Sequence, residues 1–244
     1  MSQIQIAFLP AMRLRGMVIA EFDQAQTAEF QAFPSGFCAG LTLSWLSMRV
    51  RRQNWPARQA DAQTVINATT SASIYRSFTK FHDGIGKPSS PEAISTLARG
   101  VTRAVGVKLM EAFPPVQTRN AIDSVAGGLK LEIDPAFAPR EWADGTAGHT
   151  FLHELAVLGS GLFYLSITAH INGRPDGGHA IGLHVFGTNL DSDCDLFDPN
   201  VGQLHFDQPN DIKWASFDLL RHYVTAEGIT FFKGVAFRLR EKMF

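Results

Sequence analysis

The sequence predicts an α+β fold in which helices come first and an antiparallel meander follows. Three observations carry this expectation. Apolar residues recur at helical spacing through much of 36–110, and short β-rich runs divided by turn residues begin near residue 160. No GxGxxG or P-loop string accompanies them, so a Rossmann alternation is not supported. The expected architecture is a helical layer packed on an antiparallel β-sheet, within one domain spanning 1–244.

Residues 1–33 mix short apolar runs with polar breaks and read as an N-terminal extension. MRLRGMVIAEF, from Met12, alternates as a strand would. From Gly36 the pattern turns helical. Leu41, Trp45 and Met48 recur at spacings of four and three, and Arg49, Arg51 and Arg52 close the segment where cations suit a helix C-terminus. Pro56 opens a second helix reaching about Lys80, FHDGIGKPSSPE reads as a loop, and Ser90-Pro91-Glu92 starts a third helix reaching about Met110.

GLKLEI is the short strand expected in the Pro-containing stretch from Phe113 to Asp144. FLHELAVLGSG is a short helix ending at Gly159. FYLSITAH, HAIGLHVFG, DLFDPN and QLHF are strands, with Asn172-Gly173 and Asp176-Gly177-Gly178 as turn signals. SFDLLRHYVTAEG reads as a helix and ITFFKGVAFRLR as the closing strand.

Composition narrows the function classes. Hydrophobic residues make up 45% of the chain, charged ones 18%, and nineteen are Phe, enough for a sizeable core. A formal charge of −1 supplies no basic field, so nucleic acid is not an expected partner. No Sec signal peptide is read at the N-terminus, and no window of about 18 apolar residues predicts stable membrane insertion. Two cysteines, Cys38 and Cys194, make neither a disulfide framework nor a zinc cage on their own; free thiols are expected over a single disulfide between them.

The segment PSGFCAGLTLSW, residues 34–45, places Cys38 where the helical pattern begins. A helix N-terminus offers unpaired N–H groups and partial positive charge, which suits an anionic nucleophile. A nucleophilic cysteine needs a base, and the base needs an orienting acceptor. His179 is the base candidate: it follows Asp176-Gly177-Gly178, starts HAIGLHVFG, and would sit near the sheet rim. It falls within the interval of roughly 130–150 residues that papain-like enzymes place between nucleophile and histidine. Asp198, one strand and one turn later, would return beside it by antiparallel pairing, with Asn200 as the alternative orienter.

Each residue also has a plainer reading. Cys38 alone suits a small buried hydrophobe, His179 a satisfied strand-end histidine, and Asp198 a turn-capping acceptor. Their joint order and spacing favours chemistry. His184 should face the opposite side of the strand from His179. Cys194 lies between two aspartates that disfavour a thiolate and reads as structural. His149 and His153 are four apart, yet HELAV lacks the second histidine of HExxH, so no metal is expected. The arginine cluster could meet an acidic or phosphate-bearing partner, but a charged helix end is the simpler reading.

GFCAGLTLSWL, GGHAIGLHVFG and LFDPNVGQLHF, in that order, resemble the Cys, His and Asp blocks of the YopT-type cysteine proteases, papain-like bacterial effector enzymes. The resemblance covers about 35 residues. It implies a papain-like cysteine protease fold, with Cys38 as nucleophile, His179 as general base and acid, Asp198 as orienter, and no cofactor. Papain-like enzymes carry an oxyanion-stabilising amide a few residues before the nucleophile; Gln31, seven residues upstream, is the nearest. The implied role is a cysteine endopeptidase made in a bacterial cytoplasm and secreted or injected to cut a protein of a host or competitor cell. Its further partners would be a secretion chaperone or delivery machinery. The alternatives are a thiol acyltransferase or deamidase, a peptidoglycan amidase, and a catalytically inactive interaction module.

Overall fold

The computed structural model describes residues 2–26, 38–50, 131–142, 148–171, 174–187 and 193–242. The chain opens with helix α1 (Gln3–Leu14), capped by the Ser2 hydroxyl, which accepts from the Gln5 N–H at 3.4 Å. Ile4, Phe8, Leu9 and Met12 form its buried stripe. Met12 therefore belongs to a helix and not to the expected strand. The chain reverses at Gly16 (φ 70), and the strand β1 begins only at Val18 (Val18–Glu21).

A 3₁₀ turn (Gln24–Gln26) and helix α2 (Cys38–Val50) follow. Beyond them lie β2 (Leu131–Ile133), β3 (Arg140–Trp142) and helix α3 (Gly148–Val157). Next come β4 (Gly161–Ile171), β5 (Arg174–Phe186), β6 (Asp193–Asp198) and β7 (Gly202–Phe206). Helix α4 (Pro209–Glu227) and strand β8 (Ile229–Glu241) end the chain. The helices expected at 56–80 and 90–110, the loop between them and the Asn172-Gly173 turn lie outside the described residues.

The strands form one antiparallel sheet in the order β1-β7-β6-β5-β4-β8-β2, with β3 also on β8. β4 to β7 are the anticipated meander, and β8 returns beside β4. The Asp176-Gly177-Gly178 turn signal is overridden: Gly177 and Gly178 pair with Ala169 and Thr168 of β4. A long hairpin ladder supplies backbone hydrogen bonds that outweigh glycine's local preference.

Helices cover both faces of the sheet, where the sequence suggested a single helical layer. On one face α1, α3 and α4 bury Phe8, Phe151, Leu152 and Leu219 against Leu165, Ile167, Ile181 and Leu183. On the other, α2 buries Leu41, Trp45 and Leu46 against Leu162, Tyr164, Ala180 and Phe237. Alternate residues of β4 and β5 thus enter different cores, which explains why consecutive residues are buried from Leu162 to Leu165 and from Ala180 to Val185.

Polar pins fix α2 across three strands. Thr42 Oγ1 donates to the Ala180 carbonyl of β5 at 3.1 Å, and Trp45 Nε1 donates to Gln203 Oε1 of β7 at 3.0 Å. The Trp45 ring stacks on Phe197 of β6, with centroids 5.4 Å apart. Gly182 permits this approach, because a Cβ there would stand 2.8 Å from the Trp45 ring. Arg49 is the third pin, where the sequence suggested no more than a charged helix end. It is buried and ion-paired with Asp195 of β6, while its Nε donates to His184 Nδ1 at 3.2 Å. Asp195 is the reason: a carboxylate sealed in the interior requires a cation and donors. Gln203 Nε2 at 3.2 Å and His205 Nδ1 at 2.8 Å complete its shell.

Candidate active site

Cys38 opens α2 and is partly exposed, at the end of the helix where backbone N–H groups lack intrahelical partners. His179 lies within β5 and not at its start, paired with Ile167 of β4. The β5–β6 ladder ends at Gly182 and Phe197, so on that side His179 stands beyond the last paired residue. Its ring therefore lies where β6 leaves the side of β5, and not at a strand's entry as the sequence suggested.

Asp198 ends β6 and meets this ring: His179 Nε2 is 3.0 Å from Asp198 Oδ1. The imidazole also interacts with the Cys38 side chain, and the Tyr223 hydroxyl stands 3.4 Å from Nε2. With Nε2 engaged by the carboxylate, Nδ1 is the ring nitrogen left for sulfur. Cys38, His179 and Asp198 thus meet, from a helix start and two strand positions. Asn200 does not take the orienter's position; its backbone N–H donates to Asp198 Oδ1 at 2.8 Å and its side chain points elsewhere. Gln31 lies outside the described residues.

The electrostatics follow from burial and partners. Burial alone would push the His179 imidazolium toward its neutral form. The Asp198 charge and hydrogen bond, with those of Cys38, outweigh it and raise the pKa to about 10. Phe231 stacks on the ring, with centroids 5.8 Å apart and 18° between planes, and Tyr223 stands 5.7 Å away. These aromatics keep water from the pair and strengthen its attraction. The Tyr164 phenol is pushed up by burial and then by nearby Cys38.

Two neighbours escape sequence reasoning. The Tyr223 hydroxyl lies 2.9 Å from both Asp198 oxygens, and Gln24 Nε2 donates to Asn200 Oδ1 at 2.7 Å. Tyr223 shares the buried stripe of α4 with Ile212, Ser216 and Leu219. A tyrosine on a core-facing stripe must find a polar partner, and this was the available signal. Gln24 carried none.

The remaining candidates separate from this cluster. Cys194 is buried in the core beneath α4, its thiol held up first by burial and then by Asp195 and Asp193. His184 faces the α2 side, against Arg49. His149 packs edge-on against Phe217, with centroids 5.1 Å apart.

No family model matches the sequence, and no curated protein matches it. The structure does match. It superposes on the Pseudomonas avirulence protein AvrPphB, of the YopT-type cysteine protease family, with a TM-score of 0.56. Sequence identity is 16%, over 93% of this chain and 98% of that one. The chain has a papain-like cysteine protease fold. A cysteine protease-like domain of the Photorhabdus asymbiotica toxin PaTox aligns over 95% of this chain and 87% of its own, at 13% identity and a TM-score of 0.26. In the papain-like fold found here, Cys38 heads the helix that crosses the sheet, and His179 and Asp198 stand on neighbouring strands. Among the described residues no helix is long and apolar enough to cross a membrane.

Proposed function

We propose that this protein is a cysteine endopeptidase with Cys38 as nucleophile, His179 as general base and acid, and Asp198 as the carboxylate orienting the ring. The observation that carries the reading is the His179 ring, 3.0 Å from the Asp198 carboxylate and in interaction with the Cys38 side chain at the head of α2.

The chemistry runs as follows. The Cys38 thiolate attacks the scissile carbonyl carbon, forming a C–S bond and placing negative charge on oxygen. The backbone N–H of Cys38, at the head of α2, is one donor for that oxyanion, and Gln31 is the candidate amide. One such donor is worth roughly 2.7–4 kcal/mol in the transition state. The imidazolium then gives its Nδ1 proton to the leaving nitrogen as the C–N bond breaks. Neutral His179 next takes a proton from water, whose hydroxide attacks the thioester. The acid product leaves and the thiolate–imidazolium pair is restored.

The substrate in this reading is a protein of a host or competitor cell, reached by secretion or injection with delivery machinery and a secretion chaperone as further partners. The likeness in fold to an avirulence protein supports that role. Eukaryotic and bacterial lysates treated with the wild-type protein or Cys38→Ala test it, with new protein N-termini mapped by mass spectrometry. Cleavage sites of one consensus, present only with the wild type, are expected. Identical N-termini in both treatments of both lysates would overturn the endopeptidase reading.

A further inference from the structure

We propose that Tyr223 is a positioning residue of this site, whose hydroxyl, fixed through Asn200 and Gln24, clamps the Asp198 carboxylate against His179. The inference rests on the Cys38–His179–Asp198 reading and adds a residue to it.

Proton counting sets the direction of each bond. Gln24 Nε2 donates to Asn200 Oδ1 at 2.7 Å, so the Asn200 amide is turned with its Nδ2 toward Tyr223. That Nδ2 donates to the phenol oxygen at 3.0 Å. The single phenol proton is then directed at Asp198, whose oxygens both lie 2.9 Å away, and not at His179 Nε2, which stands farther off at 3.4 Å. Gln24, Asn200 and Tyr223 form a one-way donor relay that ends on a negative charge, the arrangement in which hydrogen bonds reinforce one another.

The clamp has work to do at this place. Asp198 is 1% exposed, so water does not hold its carboxylate. Oδ1 receives the Asn200 N–H and faces the ring, whereas for Oδ2 Tyr223 supplies the hydrogen bond seen among the described residues. Without the phenol, Oδ2 loses that partner and the carboxylate gains reason to rotate away from His179. Tyr223 is itself immobilised, edge-on to Phe231 with centroids 4.9 Å apart. Gln24 is tied to the same turn by its backbone N–H, which donates to the Pro199 carbonyl at 2.8 Å.

The test is the rate of Cys38 alkylation by iodoacetate across pH in wild type, Tyr223→Phe, Asp198→Ala and the double variant. Phenylalanine preserves both ring contacts and removes only the hydroxyl. Tyr223→Phe should slow alkylation about tenfold at neutral pH. It should also move the alkaline fall of the profile downward, toward that of Asp198→Ala. In the Asp198→Ala background the same change should alter the rate less than about twofold, because the residue acts through the carboxylate. An unchanged rate and profile, or an equal loss in both backgrounds, would overturn the proposal. Should Tyr223→Phe fail to fold, Asn200→Ala keeps the phenol but removes its donor, and a loss confined to the Asp198 background is again expected. His179→Ala separates the two ideas: if it leaves the wild-type rate intact, the hydrolase reading itself fails.

Discussion

His179 and His184 stand on the same strand with their rings on opposite faces of the sheet, one beside Asp198 and the other beside Arg49. Both are buried, and burial disfavours the charged form of each. The neighbours decide the outcome. Asp198 and Cys38 reverse the effect at His179 and push its pKa up to about 10. Arg49 adds to it at His184 and takes that ring down to about 3. The sheet thus separates an imidazolium at the candidate active site from a neutral imidazole that serves as an acceptor in the core.

For His179, the folded pKa exceeds the unfolded value near 6.5, so its contribution to stability is present below that pH and lost as pH rises through about 10. The imidazolium also attracts an anionic reagent. Alkylation of Cys38 by iodoacetate should therefore fall as pH passes about 10, while alkylation by neutral iodoacetamide should not. In Asp198→Asn the fall should move down by about 1–3 pH units. Stopped-flow or quenched alkylation followed by mass spectrometry reads both.

For His184 the sign is opposite. Unfolded chains take up a proton below about pH 6.5, whereas folded His184 stays neutral to about 3, so the group withdraws stability as pH falls through that window. At pH 5 the loss is about 2 kcal/mol. His184→Gln retains an acceptor for Arg49 without the titration. The difference between wild type and variant in urea unfolding should widen in the variant's favour by that amount from pH 7 to pH 5.

Arg49 carries the largest predicted stability effect. Arg49→Met leaves Asp195 buried without its cation and should cost about 3–5 kcal/mol. Arg49→Met with Asp195→Leu should recover most of that loss, because breaking an ion pair is worse than replacing it with apolar groups of similar volume. Equilibrium denaturation of the three proteins measures both differences.

What the sequence disclosed depended on how far each signal reached. The strands β4 to β8 were legible because apolar runs and turns are local, and SFDLLRHYVTAEG marked most of α4. Helix α1 was missed because its cap, Ser2, sits at the very start and Pro10 interrupts the pattern. Gly177 and Gly178 read as a turn because their strand state is set by β4, a partner no local window contains. The meeting of His179 with Asp198 was legible, since antiparallel return over one turn is simple geometry. Tyr223 was not, because it comes from a helix behind the sheet. Arg49 read only as part of a charged helix end for a similar reason: its partner Asp195 is far along the chain and takes its importance from burial alone.

The central claim is that one of two thiols is a nucleophile made reactive by an imidazole. The most direct measurement is labelling by a thiol-directed epoxide at neutral pH, with each cysteine quantified by peptide mass spectrometry in wild type and His179→Ala. Cys38 should label at least about a hundredfold faster than buried Cys194, and His179→Ala should remove most of that advantage. Equal slow labelling of both thiols, unaffected by His179→Ala, would contradict it.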